Sequence, residues 1–427
     1  MDTAFVHEGA GFERLCAGLK RDGGRWVLAV GSLLLRSRFQ PIYSLVHGRA
    51  VGHEALLRAE DACSGLPVEL PVALRGDGSF ADLLQRDRAA RLIHALNFAD
   101  MAPPAHWLFF NMQPQVFVAA ARLAHDKFQG ALQARSGLKG HQMVLEVLED
   151  AVPSDADFDR GARTARANGC LIALDDFGAG HSNFDRVWRL QPEIVKLDRS
   201  LVLRAALEPQ ARRVVAQMVS LLHQCGALVL MEGIETPEEA FVALDVQADL
   251  VQGDLFARPA SALVPPDDAP QALRRLWDDY EVRRAQEQRS YRERIRPYFS
   301  AIGYASALLA DGLALAEAAS TFLQLRRAEL CYLLDRDGRQ IGASEWASQR
   351  QHREPPAFAP MRETAGGHCG RRPYYRRAME SVGKVQVTRP YRTLHGAHLC
   401  ITVSVAFRSH DGVRVVCGDV GWDGETA

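Results

Sequence analysis

The sequence predicts an α/β protein: a (β/α)8 barrel, then a linking helix, then an α+β domain. Two observations predict the barrel. Short apolar runs alternate with longer helical patterns over about 220 residues, and almost every apolar run ends in a polar side chain. A third observation predicts the second fold, because after about residue 298 a helical segment is followed by several β-prone runs.

The chain of 427 residues is long enough for two or three domains. We expect four segments, which are an N-terminal lead-in at 1–38, the barrel at 39–264, a linker helix at 265–297 and a sensor-like or dimerisation domain at 298–427. Pro265 and Pro266 interrupt the chain after the barrel. Pro297 is expected to end the linker helix, because proline has no backbone amide to donate.

Strands and helices of the barrel are predicted from hydrophobic periodicity. The predicted strands are 49–57, 107–112, 143–148, 170–175, 193–197, 227–231 and 249–251. Helical spacing is clearest in 82–98, 210–225 and 237–244. In the last domain a helix at 301–325 precedes a hairpin with its turn at 335–338, and three β-prone runs at 384–388, 398–407 and 413–420 follow.

Charge and cysteine content limit the class of protein. The 51 Lys and Arg residues balance 52 Asp and Glu residues, so no global field attracts polymeric nucleic acid or a membrane surface. Eight cysteines are spread singly, as expected in a reducing compartment. The apolar stretch at 26–35 is about half the length that crosses a bilayer, and the acidic residues before it do not resemble a signal peptide. We therefore expect a cytoplasmic protein.

Polar side chains at the ends of successive apolar runs indicate one shared site. They are Glu54, Asn111, Glu146, Asp175, Asp176, Lys196, Asp198, Glu232, Glu235 and Gln252. A single acid at a strand end is more often a helix cap or a surface residue. Such a series is different, because the C-terminal strand ends of a barrel converge on one rim. Oxygen ligands favour Mg²⁺ or Mn²⁺ over zinc, and Asp175 and Asp176 are suited to bridging two ions for phosphodiester cleavage.

These residues lie in motifs that resemble the EAL-domain family of cyclic di-GMP phosphodiesterases. His-Glu-Ala-Leu-Leu-Arg at 53–58 matches the family signature, and Phe-Gln-Pro-Ile at 39–42 matches the segment before it. Further matches follow in the family's order at 111–114, 145–149, 175–180, 195–198, 232–235 and 252–253. The resemblance covers roughly residues 30–260.

The resemblance implies hydrolysis of cyclic di-GMP to linear pGpG with two Mg²⁺ or Mn²⁺ ions. One ion would be held by Glu54, Asn111, Glu146 and Asp175, and the other by Asp175, Asp176 and Glu232. Lys196 would act in catalysis with Glu54 and Glu232. Carboxylates around a lysine keep it protonated, so we favour a role for Lys196 in positioning the attacking water over a role as general base.

The same resemblance implies further residues and a homodimer. The substrate would contact Gln40, Leu56, Arg58, Pro114, Asp198, Glu235 and Gln252, with Arg58 suited to pairing with a phosphate. The loop at 176–182 would link the metal site to a dimer interface, and Glu149 would anchor it. Ala179 stands where threonine is commoner in the family, which affects the loop rather than a metal ligand.

The C-terminal segment resembles Cache/PAS-like ligand sensors in the order of its polar and aromatic residues. Arg372, Tyr374, Tyr375 and Tyr391 would face Asp419 across a pocket. Such a wall suits an unknown small zwitterion or carboxylate. The upstream aromatic residue that amino-acid sensors carry is not evident, so a filled dimerisation module is an equal alternative.

Two other classes of function compete with the enzyme. A non-catalytic cyclic di-GMP receptor would signal through protein contacts of the helix at 270–296, and a scaffold would bind only proteins. Such receptors usually lack several metal ligands, whereas this chain has all of those named above. The sequence therefore favours hydrolysis.

Overall fold

The computed structural model describes residues 8–75, 78–102, 105–122, 127–148, 155–180, 184–265, 270–348, 364–393 and 399–422. The chain divides into two compact units, Met1–Tyr280 and Glu281–Ala427. Within the described ranges, every helix is too short or too polar for a bilayer-crossing segment.

The first unit begins with a helix and a small antiparallel sheet. Helix α1 (Glu8–Ala17) leads to the antiparallel strands β1 (Leu19–Asp22), β2 (Arg25–Val30) and β3 (Leu33–Ser44). Strand β3 pairs along its whole length with β4 (Arg49–Asp61), and β5 (Pro67–Val68) lies on the other edge of β4. Both long strands therefore belong to this sheet at one end and to the barrel at the other.

Strands and helices then alternate through the rest of the unit. They are α2 (Leu70–Arg75), α3 (Phe80–Ala99), β6 (Trp107–Asn111), α4 (Pro114–Arg122), α5 (Phe128–Ser136), β7 (Met143–Leu148), α6 (Asp155–Ala167), β8 (Leu171–Phe177), α7 (Phe184–Leu190), β9 (Ile194–Leu197), α8 (Arg199–Leu207), α9 (Pro209–Gln224), β10 (Leu228–Met231), α10 (Pro237–Asp245) and β11 (Leu250–Val251). The predicted strands from 107 onward are present to within a few residues.

Eight strands close into a barrel in the order β3, β4, β6, β7, β8, β9, β10, β11, and β11 pairs back onto β3. Seven of these strands are parallel, whereas β3 is antiparallel to both neighbours. The difference from a uniformly parallel barrel has a local cause. Only residues 45–48 connect β3 to β4, and so short a connection makes a hairpin rather than a crossover. Gly48, with φ of 60°, completes that turn.

The barrel interior is filled by a layer of apolar side chains from alternate strand positions. This layer consists of Ile42, Phe109, Val144, Ala173, Ile194, Leu230 and Leu250. A larger core lies outside the barrel, between the strands and the helices. The barrel is therefore a packed support, with room for a site only at its rim.

The second unit is α+β, with an antiparallel sheet. Helix α11 (Gln271–Ala310) begins in the first unit and is followed by α12 (Leu315–Ala318), α13 (Ser320–Leu323), β12 (Ala328–Leu334), β13 (Gln340–Trp346), α14 (Pro373–Glu380), β14 (Gln386–Val387), β15 (Tyr391–Arg392), β16 (Leu399–Ser409) and β17 (Gly412–Trp422). The strand order is β13, β12, β17, β16, β14, and β15 also pairs with β16. The predicted hairpin is present as β12 and β13.

Two expectations about helices in this region were wrong. Helix α11 does not end at Pro297 but continues to Ala310. Ile295 and Ile302, on either side of the proline, are buried in the core of the second unit, and this packing offsets the lost backbone hydrogen bond. The helix expected at 301–325 is interrupted, because Gly312 adopts a φ of 91° just after α11 ends.

Candidate active site

The candidate site is the next layer of side chains above the apolar interior. Residues two apart on a strand point to the same side, so the interior layer predicts which side chains lie above it. The positions two residues nearer the rim, on or just beyond each strand, are Gln40, Asn111, Glu146, Asp175, Lys196, Glu232 and Gln252. On β4 the corresponding position is Glu54, which pairs with Gln40 in the β3–β4 register. These eight side chains, which follow one another along the sequence, thus form one ring at the barrel mouth.

Lys196 lies at the centre of this ring. Its Nζ is 2.7 Å from Glu146 Oε1, 2.9 Å from Asp175 Oδ1 and 3.1 Å from Glu232 Oε2. Glu54 Oε1 is farther away, at 4.0 Å. The lysine side chain is 1% exposed. One buried ammonium therefore contacts carboxylates from three other strands of the barrel.

A second group of hydrogen bonds orients Glu54. Asn111 Nδ2 donates to Glu54 Oε1 at 2.7 Å, and Gln252 Nε2 donates to Glu54 Oε2 at 2.6 Å. Gln252 also donates to Gln40 Oε1 at 3.0 Å, and Gln40 donates to Asp254 Oδ1 at 3.3 Å. Both oxygens of Glu54 are therefore held by amides at the ends of two other strands, which fixes the carboxylate at the rim.

Burial and mutual repulsion set the protonation of the ring. Burial raises the pKa of Glu146 and of Glu232 well above the usual value, and Lys196 only partly opposes this effect. Burial alone would lower the pKa of Lys196, but the surrounding carboxylates, Glu146 foremost, raise it well above its ordinary value. The lysine is therefore an ammonium, as expected from the sequence, and burial together with mutual repulsion disfavours a negative charge on every carboxylate of the ring at once.

The donor set fits divalent cations. Carboxylate oxygens of Asp175, Asp176 and Glu232 lie within 4.8 Å of one another. Glu146 Oε2 and Glu232 Oε1 are buried, and no hydrogen bond reaches them from the described residues. Buried carboxylate oxygens without partners are costly, and hard cations such as Mg²⁺, Mn²⁺ or Ca²⁺ satisfy such groups.

Asp176 has a left-handed backbone, with φ of 57°. Non-glycine residues rarely adopt this conformation, and such residues often mark functional sites. The backbone amide of Asp176 donates to Asp175 Oδ1 at 3.1 Å. The turn brings both neighbouring carboxylates to the rim, although adjacent residues of a regular strand face opposite sides.

An open cavity of about 300 Å³ lies above the ring. It is lined by Gln40, Glu54, Asp176, Asp198, Arg199, Glu232, Gly233, Glu235, Gln252, Gly253 and Asp254. Arg199, Gly233, Gly253 and Asp254 were not among the predicted site residues. Gly233 and Gly253 had a signal in the sequence, since each follows a predicted site residue in a matched motif. The role of Gly253 is steric, because a Cβ there would lie 2.0 Å from the carbonyl oxygen of Ile234.

Other predicted substrate residues lie farther along the rim. Leu56 and Arg58 follow Glu54 at two-residue intervals on β4 and so share its face. The Arg58 side chain donates to the carbonyl of Leu57 at 2.9 Å. Pro114 is the first residue of α4. Glu149 and residues 181 and 182 of the predicted loop lie outside the described residues.

The second unit brings together three of the five residues predicted for a sensor pocket. Thr402 Oγ1 donates to the buried Asp419 Oδ1 at 2.7 Å and accepts from the hydroxyl of Tyr391. The ring of Tyr374 stacks on that of Tyr391 with centroids 6.4 Å apart. In contrast, the hydroxyl of Tyr375 donates to the carbonyl of Arg336, and Arg372 is exposed at the start of α14.

Comparison with known proteins assigns the barrel to the family that its motifs resemble. The EAL domain family model matches residues 29–259. The chain is 28% identical over 228 residues to the cyclic di-GMP phosphodiesterase RocR of Pseudomonas aeruginosa, covering 52% of this chain and 56% of RocR. It is 26% identical over 227 residues to the blue light- and temperature-regulated antirepressor BluF of Escherichia coli, covering 52% and 53%. The chain thus spans about half the length of these relatives.

A solved structure extends the likeness to both units. The Bacillus subtilis YkuI protein, which has an EAL domain and was solved with its substrate c-di-GMP and calcium, matches with a TM-score of 0.75. The identity is 19%, and the match covers 91% of this chain and 96% of YkuI. At this identity the likeness shows the fold. Because the family model covers more than half of the chain, and its barrel and ordered motifs agree with that match, the chain belongs to the EAL domain family.

Proposed function

We propose that the barrel hydrolyses cyclic di-GMP to linear pGpG with the help of two Mg²⁺ or Mn²⁺ ions. The observation that carries the proposal is the ring at the barrel mouth, where buried carboxylates surround Lys196 and keep oxygen atoms without partners. RocR is named as a cyclic di-GMP phosphodiesterase, and YkuI was solved with the same dinucleotide. Both likenesses support this substrate.

Five residues of the ring and the adjacent Asp176 would form two ligand sets that share Asp175. Glu54, Asn111, Glu146 and Asp175 would hold one ion, and Asp175, Asp176 and Glu232 the other. Bound divalent ions supply an activated water and neutralise charge on the phosphodiester oxygens. The left-handed backbone of Asp176 suits this sharing, since it brings consecutive carboxylates to one rim.

Lys196 serves as a donor in this scheme, not as a base. Its ammonium lies within 3.1 Å of three carboxylates, and its raised pKa keeps it protonated. A protonated lysine orients the attacking water or stabilises charge on a phosphate oxygen. The substrate lies in the cavity above, against Gln40, Asp198, Glu235 and Gln252. Leu56, Arg58 and Pro114 would contact its outer parts.

A receptor without turnover is the second candidate. BluF, which is similar over the barrel, is named as an antirepressor, and helix α11 leads from the barrel into a second unit with its own core. Both features suit a protein that binds the dinucleotide and passes the signal on. All of the expected ligand residues are present, which favours hydrolysis.

Turnover with matched variants separates the two candidates. Purified protein is incubated with cyclic di-GMP and Mg²⁺ or Mn²⁺, and pGpG is measured by chromatography. We expect hydrolysis by the wild type and a loss of at least about 100-fold in Glu54→Gln, since even the loss of a residue that only supports a ligand costs 10–100-fold. Glu60→Gln is the control, because Glu60 lies on the same strand in a partly exposed pair with Arg36. Binding without turnover would favour the receptor.

For the second unit we propose a Cache/PAS-like module that regulates a cytoplasmic homodimeric enzyme. Its antiparallel sheet and the group formed by the buried Tyr374 and Asp419 with the partly buried Tyr391 support this assignment. The ligand would be an unidentified small molecule. In the alternative, side chains fill the pocket and the unit serves dimerisation. Comparing kinetics and sedimentation of the full chain with those of a chain lacking 281–427 tests the proposal. Unchanged kinetics and an unchanged oligomeric state would contradict it.

A further inference from the structure

Arg199 is a cation in an otherwise acidic cavity. Among the described residues that line the space above the ring, six carry carboxylates and Arg199 alone carries a positive charge. The six are Glu54, Asp176, Asp198, Glu232, Glu235 and Asp254. Lys196 lies beneath this wall, buried in the ring. Arg199 is therefore the cation that a molecule in the cavity meets at the wall.

The aliphatic part of Arg199 lies against Gly233. A Cβ at residue 233 would come within 2.8 Å of Arg199 Cδ and within 2.9 Å of Cβ and Cγ. Gly233 has a φ of 63°, which also favours glycine. The glycine that follows Glu232 thus leaves the space in which the arginine stem runs along the cavity wall.

The guanidinium end is held by Glu235. Arg199 Nη1 donates to Glu235 Oε1, and the two side chains are 43% and 44% exposed. The backbone of Glu235 is fixed in turn, because its amide donates to Glu239 Oε2 at 2.7 Å. Glu239 belongs to the capping box with Thr236 at the start of α10. The pair is therefore positioned by the start of a helix, and its remaining donor and acceptor atoms are accessible.

A guanidinium beside a carboxylate matches the acceptors and donors on two adjoining edges of guanine, the Hoogsteen edge and the Watson–Crick edge. Guanine offers acceptors at O6 and N7, which arginine contacts in a bidentate manner, and donors at N1 and N2, which a carboxylate accepts. Adenine carries an amino group where guanine has O6, so it places a donor against the arginine. A phosphate fits less well here, because the carboxylate of Glu235 lies next to the guanidinium and would repel it.

We propose that Arg199, paired with Glu235, recognises one guanine of the cyclic dinucleotide and so determines the base specificity of the site. The inference rests on the proposed function and deepens it. Metal ions bound at the ring would contact the phosphates, which are identical in dinucleotides with different bases. Specificity must then come from groups farther up the cavity, where this pair lies.

The preference for cyclic di-GMP over cyclic di-AMP tests the role of Arg199. Values of kcat/KM for both dinucleotides are measured with Mn²⁺ for the wild type, Arg199→Met and Arg199→Lys. We expect the preference to fall about 10-fold in Arg199→Met, within the range of one bidentate base contact, chiefly through KM for cyclic di-GMP. Arg199→Lys keeps the charge but loses the paired donors, so it should not restore the preference.

Arg204→Met is the matched control, since Arg204 is an exposed arginine on the same helix. It should leave both kcat/KM values unchanged. Equal losses for both dinucleotides in Arg199→Met, or full rescue by Arg199→Lys, would show a phosphate contact and overturn the inference. An unchanged preference would overturn it as well. These results leave the proposed function intact, whereas a wild type that neither binds nor hydrolyses cyclic di-GMP overturns the function itself.

Discussion

Lys196 contacts more of the candidate metal ligands by ion pairs than any other residue of the ring that the structure describes. Three carboxylates lie within 3.1 Å of its ammonium, and burial leaves water little part in compensating their charge. Removing one member of a buried ionic group costs far more than the group contributes as a whole, because the remaining charges lose their partner. The lysine thus stabilises the metal-free fold by compensating the charge of these carboxylates. Bound ions would compensate part of the same charge.

Replacing Lys196 with methionine should therefore destabilise the metal-free protein. We expect a loss of about 3–5 kcal/mol in the free energy of unfolding of the first unit, measured by urea denaturation in EDTA. Millimolar Mg²⁺ should recover part of this loss, because the ions compensate the same carboxylates. Lys20→Met, at an exposed position of β1, is the control. Equal stability of Lys196→Met and wild type in EDTA would contradict the structural role of the lysine.

His94 makes the stability of the first unit sensitive to acid. It is buried on α3, with Nδ1 2.8 Å from Ser37 Oγ, and burial lowers its pKa from 6.5 to about 3. Between these values the unfolded chain binds a proton that the folded chain does not, so stability falls as the pH falls from 6.5 towards 3.

The His94→Gln variant should lose part of this acid sensitivity. One such group contributes a slope of up to about 1.4 kcal/mol per pH unit, measured by urea denaturation between pH 4 and 7. Part of the slope should persist, because burial also lowers the pKa of His53 to about 3. His410→Gln, at a fully exposed site, should leave the slope unchanged. A slope identical to wild type in His94→Gln would rule out a buried neutral histidine.

At the scale of elements, the sequence predicts strands better where one periodicity lasts through the whole strand. The runs ending in Asn111, Glu146 and Asp175 are apolar almost throughout, because both faces of a barrel strand are buried. Strand β3 was missed as a barrel strand because only its second half lines the barrel. Its first half contains Arg36 and Arg38, which suit the small sheet at the edge.

The ring could be predicted, whereas part of the cavity wall could not, for a similar reason. Ring residues follow local strand patterns, so converging strand ends bring them together. Arg199 and Asp254 lie in the segments after the strands, and their partners, Glu235 and Gln40, are distant in sequence. No local pattern encodes such pairs. A glycine such as Gly233 indicates such a contact only indirectly, because another side chain occupies the space where its own Cβ would lie.

Helix α11 offers a test of its own continuity. Pro297 lies inside the helix with an exposed side chain, and it has no amide to donate to the carbonyl of Glu293. Pro297→Ala should restore this bond without loss of buried surface. We expect the free energy of unfolding of the second unit to rise by about 2 kcal/mol, less than the full cost of an internal proline because the proline also restricts the unfolded chain. Urea denaturation measures the change.

Pro373→Ala is the matched control for that experiment. Pro373 is the first residue of α14, where the helix uses no amide. The Pro373→Ala substitution should therefore leave the free energy of unfolding of the second unit without a gain. A gain from Pro373→Ala equal to that from Pro297→Ala, or a loss from Pro297→Ala, would show that α11 does not run unbroken through residue 297.

For the whole molecule, the separation into two cores matters most. The barrel and its helices form one set of buried contacts, which reaches Tyr280 at the start of α11. The second unit buries Ile295 and the residues that follow it in clusters of its own. Since the candidate metal ligands all belong to the first set of elements, ion binding acts directly on only one of the two cores.

Calorimetry should therefore separate the two units by their response to metal. A ligand that binds only the folded state stabilises it by about 2.7 kcal/mol at 100 times its Kd. We expect Mg²⁺ or Mn²⁺ to raise the melting temperature of the barrel transition relative to EDTA and to leave that of the second unit unchanged. Asp175→Asn, which alters the ligand shared by both sets, should abolish the shift while both transitions remain. Equal shifts of both transitions would mean that the units unfold together, and α11 would then be the element that couples metal binding in the barrel to the second unit.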